Sequence, residues 1–278
     1  MSSSEITGKR PRLIGTDLDG TIVAHYGDVT QRTIDAFRKA HELGVHIYFV
    51  TGRPPRWMGQ IKDAFNFGQA ICSNGGILWD LQGERVLEEW RISPTDMRET
   101  VIRLRKAIPE IHFAFENHGD FRREKLYVAR WDLGVDAKGV DDILEHTENG
   151  AVKLLARGSD KLFDSDELLA VAKKVVGDIV TVTHSNPWES LLEISAHGVS
   201  KGDTLSILCE RMKIDREDVV AFGDNPNDFS MLEFAGRSYA MIDGHPDGIK
   251  YATASAPPCD EDGVAQIVEE LINLPVRS

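Results

Sequence analysis

The stretch Thr16-Asp17-Leu18-Asp19-Gly20-Thr21-Ile22 follows directly on Arg12-Leu13-Ile14-Gly15, and the fold reads outward from this junction. Arg12 to Gly15 has the character of a short buried strand. It delivers two carboxylates, one residue apart, into a turn that Gly20 makes possible. Alternate residues of an extended segment point the same way, so Asp17 and Asp19 begin on one face. Two acids crowded at a strand end raise each other's pKa unless a cation sits between them. Taken alone, Asp-x-Asp-Gly is equally well a turn or a helix cap, and the later segments decide between these readings.

Downstream, Thr30 is placed to cap a helix reaching about Leu43, with Ile34, Phe37 and Ala40 on its apolar face and Gly44 as the stop signal. Val45 to Val50 is a nearly continuous apolar run, rich in β-branched and aromatic side chains, which suits a central strand buried on both faces. It ends in Thr51-Gly52-Arg53-Pro54, where the prolines open a helix expected to run to about Phe65. Ala70-Ile71-Cys72 predicts another short strand, ending in Ser73-Asn74-Gly75-Gly76. Strands and helices in alternation, with polar residues or glycine at each strand's carboxyl end, are the pattern of an open parallel sheet. Ligands of such sheets bind at those ends.

Around Gly83 the pattern changes. Ser93-Pro94-Thr95-Asp96 reads as a capping box with proline at the first helical position, and Met97, Val101, Leu104 and Ile108 follow at helical spacing. Strands are expected at Ile111 to Glu116, Lys125 to Ala129, Ala151 to Leu155, Ile179 to Thr183 and Leu191 to Ile194, with a helix at Asp164 to Val176. Such runs of strands predict an α+β insert with an antiparallel sheet, placed at 84–192. The alternating pattern resumes at Lys201-Gly202-Asp203, which opens a helix carrying Leu205, Leu208 and Met212. Asp218 to Phe222 is a strand stopped by Gly223-Asp224-Asn225-Pro226-Asn227-Asp228. A helix with Met231, Leu232 and Phe234, a final strand at Ser238 to Met241 and an amphipathic helix at 263–273 complete the chain. The expected fold class is therefore α/β. Residues 11–83 and 193–278 form a Rossmann-like, doubly wound parallel sheet, interrupted by the inserted α+β domain and preceded by a polar, frayed tail at 1–10.

Apolar side chains make up 41% and charged ones 28% of the 278 residues, a globular balance with enough apolar material for a core. The formal net charge of -13 argues against nucleic acid or an anionic membrane as partner, since both need clustered Lys and Arg. A small phosphorylated metabolite is compatible with it, because a site can be locally positive inside an acidic protein. Cys72, Cys209 and Cys259 lie far apart without Cys-x-x-Cys spacing, so neither a zinc site nor a disulfide framework is expected. No apolar run approaches the ~20 residues that cross a bilayer. Met1 to Arg10 lacks the apolar region of a signal peptide, and the expectation is a cytoplasmic protein.

Asp17, Asp19, Thr51, Lys201, Asp224 and Asp228 all fall at strand carboxyl ends or a helix start, and a doubly wound sheet brings such positions to one edge. Carboxylates gathered there cost about 4 kcal/mol per close pair at an effective dielectric of about 20, and a divalent cation removes that cost. Oxygen ligands without histidine or cysteine favour Mg²⁺ over zinc. Lys201 adds positive charge at a helix start, where anions are favoured, and Thr51 offers a hydroxyl donor. The group fits a phosphoryl moiety held against a carboxylate.

These segments resemble the haloacid dehalogenase superfamily, in its Cof-type branch of small-molecule phosphatases. Asp17-Leu18-Asp19-Gly20-Thr21 resembles the first motif, Thr51-Gly52-Arg53 the second, Val199-Ser200-Lys201-Gly202 the third and Gly223-Asp224-Asn225-Pro226-Asn227-Asp228 the fourth. Asp262-Gly263-Val264 is similar to a C-terminal signature of the branch. The resemblance implies that the insert is a type-2 cap, since it lies between Thr51 and Lys201. It also implies that Asp19 marks phosphate-ester chemistry rather than dehalogenation. By the same likeness Asp17 is the nucleophile and Asp19 the general acid and base. Mg²⁺ is held by Asp17, the backbone carbonyl of Asp19 and Asp224, and Asp228 orients metal-bound water. Thr51, Gly52, Lys201, Asn227 and, on the substrate side, Asn74 contact phosphate or substrate.

The function so implied is a Mg²⁺-dependent phosphatase for small phosphate monoesters, with sugar phosphates the expected class. A sugar phosphomutase and a non-enzymatic phospho-acceptor of the receiver type are the alternatives. Candidates for specificity in the insert are His118, Arg122, Arg123 and Lys125, and the inter-strand group His184, Asn186, Trp188 and Glu189. Each is equally well a solvated turn or packing. Arg53 and Arg56 read either as phosphate contacts or as caps of the sheet edge.

Overall fold

Both faces of β1 (Leu13–Thr16) are apolar and both are covered. The computed structural model describes residues 8–24, 27–131, 133, 135, 137 and 139–276. After β1 come α1 (Gln31–Glu42), β2 (His46–Val50), α2 (Gly59–Ala64), β3 (Gln69–Cys72), β4 (Ile77–Asp80) and β5 (Arg85–Glu89). Then follow α3 (Pro94–Ala107), β6 (His112–Asn117), β7 (Asp120–Glu124), β8 (Gly139–Val140), β9 (Lys153–Arg157), α4 (Ser165–Val176), β10 (Val180–Thr183) and β11 (Leu191–Ala196). The chain closes with α5 (Lys201–Met212), β12 (Val219–Gly223), α6 (Phe229–Phe234), β13 (Arg237–Met241), β14 (Ala254–Ala256) and α7 (Gly263–Leu271).

The larger sheet has the order β14-β13-β12-β1-β2-β3-β4-β5. Neighbours are parallel from β14 to β3, and β3-β4-β5 is an antiparallel meander. On one face Ile14, Phe49 and Phe222 pack with Phe37 of α1 and Leu271 of α7. On the other, Leu13, Val50 and Ala221 pack with Leu205 and Leu208 of α5 and Met231 of α6. Burial on both faces is why these strands read as continuous apolar runs. The strand order reverses at β1, whose neighbours β2 and β12 lie on opposite sides, and a crevice opens at the carboxyl ends there.

The smaller sheet has the order β10-β11-β9-β6-β7-β8 and is antiparallel except for the β7–β8 pair. Phe113, Phe115, Leu154 and Ile194 face α3 and α4. The alternate residues Ala114, Phe121, Leu155 and Leu191 form a separate layer on the opposite face, as the period of two in a strand requires. No described helix is long and apolar enough to cross a membrane.

Several elements depart from expectation. The strand sought at Lys125 to Ala129 is not formed. The turn at His118-Gly119 pairs Asn117 directly with Asp120, so β7 occupies Asp120–Glu124 instead. The strand expected at Ala151 to Leu155 starts later, at Lys153, while Ala151 forms an isolated bridge to Ile92. The helix opened by the prolines splits into a single 3₁₀ turn at Pro55–Trp57 and the short α2. Ser93 caps α3 by accepting the Asp96 N–H at 3.1 Å, but the Asp96 carboxylate takes the Ser93 hydroxyl at 2.7 Å, so the box is half made. Its complete form is at Asp164 and Glu167 on α4. The two sheets also part later than 84 and 192: β5 belongs to the larger one, and β11 runs in the smaller one to Ala196. Of the expected tail, residues 1–7 lie outside the described residues, and the rest is tied down. The Arg10 N–H donates to the Pro275 carbonyl at 2.9 Å, and the Lys9 carbonyl accepts from Arg237 at 2.5 Å.

Candidate active site

The carboxyl ends of β1, β2 and β12 meet the first turn of α5 at the crevice. Asp17 leaves β1 with its N–H bonded to the Phe222 carbonyl at 2.9 Å, which locks it to β12. Its Oδ1 lies 2.5 Å from Lys201 Nζ, and the same ammonium lies 2.6 Å from Asp228 Oδ1. Asp228 Oδ2 accepts the N–H groups of Asp224 and Asn225, both at 3.0 Å, and Asn225 Nδ2 holds Asp224 Oδ2 at 2.6 Å. All four charged side chains are buried. Gly20 is required here on two counts. Its φ is +82°, and a Cβ would stand 2.5 Å from Asp224 Oδ2.

Electrostatics follow from that crowding. Burial and then Asp228 push the Asp17 carboxyl up to about 7, against the pull of Lys201. Burial, with Asp17 and Asp228, raises Asp224 well above the carboxylate range. Burial works against the Lys201 charge, yet Asp17 and Asp228 more than offset it and raise its pKa. Asp17, Asp224 and Asp228 each offer an oxygen within 4.8 Å of the others. One ammonium does not balance three carboxylates, and this all-oxygen donor set fits a hard divalent cation.

Asp19 has a different environment. Its side chain is 54% exposed, and Arg53 grips it with a fork, Nε to Oδ2 at 2.8 Å and a second nitrogen to Oδ1 at 2.5 Å. Thr51 Oγ1 accepts the Arg53 N–H at 3.1 Å, leaving its own proton to donate. Asp17, Asp19, Thr51, Gly52, Asp224 and Asn227 line a cleft of about 240 Å³ between the two sheets. Lys201 and Asp228 lie beneath it. Both Asp228 oxygens accept from protein donors, bracing Lys201 and the Asp224 loop, and Oδ1 keeps a second lone pair free. One expected position differs. Asn74 lies behind the Thr51 loop instead of lining the cleft, and its Oδ1 accepts from Asn227 Nδ2 at 3.1 Å.

The far wall belongs to the smaller sheet. Asn186 and Glu189 line it, as do Glu116, Phe121, Lys153 and Glu193. The basic cluster does not reach it. His118 packs edge-on against Trp79, Arg122 meets His146 Nδ1 at 2.8 Å, Arg123 donates to the Tyr127 carbonyl at 3.2 Å, and Lys125 pairs with Asp141 at 2.5 Å. Trp188 is 83% exposed and away from the cleft, while His184 is buried against Asp166 at 2.9 Å. Arg56 is no edge cap either; it crosses to Glu116 on β6. Glu193 was legible but unread: it is a lone charge inside an apolar strand, and such a charge is buried only with a partner, here Lys153 at the start of β9.

A doubly wound sheet thus carries a lysine-braced carboxylate cluster at its switch point, faced by a second sheet. The chain belongs to the haloacid dehalogenase-like hydrolase family, whose match spans residues 14–268. Pyridoxal phosphate phosphatase YbhA of Escherichia coli is 28% identical over 282 residues, covering 92% of this chain and 97% of its own. The 5-amino-6-(5-phospho-D-ribitylamino)uracil phosphatase YitU of Bacillus subtilis is 22% identical over 277 residues, covering 95% and 99%. A phosphatase of the superfamily from Bacteroides thetaiotaomicron shares the fold with a TM-score of 0.77 at 23% identity, covering 97% and 99%. The protein is a phosphoric monoester hydrolase.

Proposed function

We propose that the protein is a cytoplasmic, Mg²⁺-dependent phosphatase that hydrolyses small phosphate monoesters, sugar phosphates foremost, through an aspartyl phosphate on Asp17. The observation that carries this reading is the Asp17–Lys201–Asp228 chain at the switch point, with Asp19 beside it in the open cleft. Asp17 attacks phosphorus in line, and the ester oxygen leaves with a proton from Asp19. Asp19 then takes a proton from the water that cleaves the acyl phosphate, which returns both residues to their starting states. Arg53 holds Asp19 in one orientation for both transfers. Lys201 and the Thr51 hydroxyl face charge that develops on the equatorial oxygens, where most of the stabilisation lies. Asp17, Asp224 and the Asp19 carbonyl would hold the cation, which when bound supplies positive charge to the phosphoryl oxygens and keeps Asp17 ionised. The smaller sheet with α3 and α4 serves as a cap that excludes water, in the manner of a type-2 insert.

Release of inorganic phosphate from p-nitrophenyl phosphate, with Mg²⁺ and with chelator, tests this. Turnover is expected only with the cation, and Asp17→Asn is expected to abolish it while the thermal midpoint is kept. Full activity in Asp17→Asn would refute the nucleophile assignment. A requirement for a sugar bisphosphate activator would mark a mutase instead.

A further inference from the structure

Lys153 and Glu193 form a buried ion pair on the cleft-facing side of the smaller sheet, next to the apolar Leu155 and Leu191. Both are buried, Nζ lies 2.9 Å from Oε1, and Lys153 also donates to the Gly52 carbonyl at 2.8 Å. Glu193 Oε2 is different. It is buried in a residue that lines the cleft, and it makes no well-aligned hydrogen bond among the described residues, although the Asn74 and Ser185 side chains stand close to the carboxylate as donors. The two carboxylate oxygens stand 3.5 and 3.7 Å from where a Cβ on Gly52 would sit, beside the loop that receives the phosphoryl group. Burial alone would push the Glu193 carboxyl up, but Lys153, helped by Asn74 and Ser185, holds it below its ordinary value. It is therefore an anion at neutral pH. A buried anionic oxygen without an aligned donor is costly, and more so beside a dianionic ester. A ligand that belongs here brings an aligned donor with it.

We propose that Glu193 Oε2 accepts a hydrogen bond from a hydroxyl of the substrate's alcohol portion close to the ester oxygen, and so selects polyol and sugar phosphates over esters of simple alcohols. This rests on the phosphatase reading above. A hydroxyl fits better than an ammonium because Lys153 already neutralises this carboxylate, and the Arg53 guanidinium lines the same cleft. A second cation there gains no net attraction.

The test compares kcat/KM for hydroxyethyl phosphate against ethyl phosphate, and glycerol phosphate against propyl phosphate, in the intact Mg²⁺-loaded enzyme. Aminoethyl phosphate is the cationic arm. The wild type is expected to favour each hydroxylated ester by about 10- to 100-fold, the worth of a hydrogen bond to a charged group, and to show no preference for the amine. In Glu193→Gln, which keeps an acceptor for Lys153, the ratio should shrink several-fold. In Lys153→Met with Glu193→Leu, where an apolar pair replaces the buried ions, it should approach one. Each ratio is taken within one protein, so a general loss of activity leaves it readable. Equal kcat/KM for the plain and hydroxylated esters in the wild type overturns the proposal, as does an unchanged ratio in variants that still turn over. A preference for aminoethyl phosphate overturns the hydroxyl assignment. Failure to release phosphate from any ester overturns the phosphatase reading itself.

Discussion

Asp17 and Asp19 are one residue apart in sequence and occupy different solvents in the fold. Asp17 is walled in with Lys201, Asp224 and Asp228, whereas Asp19 reaches water and is held by the Arg53 fork. Asp19→Asn is expected to lower kcat by roughly 10²–10⁴, the range of a lost general acid. Arg53→Lys keeps the charge and loses the fork, so a smaller fall in kcat with a displaced pH–rate profile is expected. An unchanged profile would remove Arg53 from the positioning of Asp19. The Asp17 surroundings also give a linkage with a definite sign. Between the ordinary value of 3.8 and about 7, the metal-free folded protein keeps a proton that the unfolded chain has lost. Its stability therefore falls as pH rises through that window. Mg²⁺ should raise the thermal midpoint more at about pH 8 than at about pH 5, because its ligands must be ionised. Equal gains at the two pH values in thermal melts would contradict this.

Among the elements, the loop from β3 to β4 sets the start of α5. Ser73, Asn74 and Gly75 all have positive φ, and a Cβ on Gly75 would collide with the Ser200 carbonyl while meeting Thr204 Oγ1 at 2.9 Å. Gly75→Ala should cost about 2 kcal/mol or more in urea unfolding and lower kcat as well, because α5 carries Lys201 in its first turn. A full-activity variant would uncouple loop and helix. At this scale, features set by neighbours in sequence were legible. Thr30 caps α1, and Gly44 follows it at φ +83°. Features set by pairing were not. β7 takes its register from the His118-Gly119 turn, and β5 and β14 are edge strands with little apolar content to announce them.

Over the whole molecule, contacts join the two sheets on both sides of the cleft. Arg56 reaches Glu116, Lys153 reaches the Gly52 carbonyl at 2.8 Å, the Asn227 N–H meets the His184 carbonyl at 3.2 Å, and His245 meets Asp166 at 3.0 Å. Arg56→Met would leave Glu116 buried without its cation, and breaking such a pair is strongly destabilising. The expected result is a KM raised about tenfold or more with a smaller change in kcat, since the loss falls on closure rather than chemistry. A kcat loss with KM unchanged would place Arg56 nearer the reacting atoms than its contacts do.

The sequence by itself determined the class of sheet and which residues end its strands or open its helices. Each of those residues sits at the end of a periodic run, and periodicity and turn chemistry are local properties. Only the tertiary structure decided what those residues touch: that Arg53 grips Asp19, that Asp228 braces Lys201, and that Lys153 and Glu193 reach over Gly52. Such contacts join segments far apart along the chain. They depend on how one sheet's register and face are presented to the other, which no local pattern encodes.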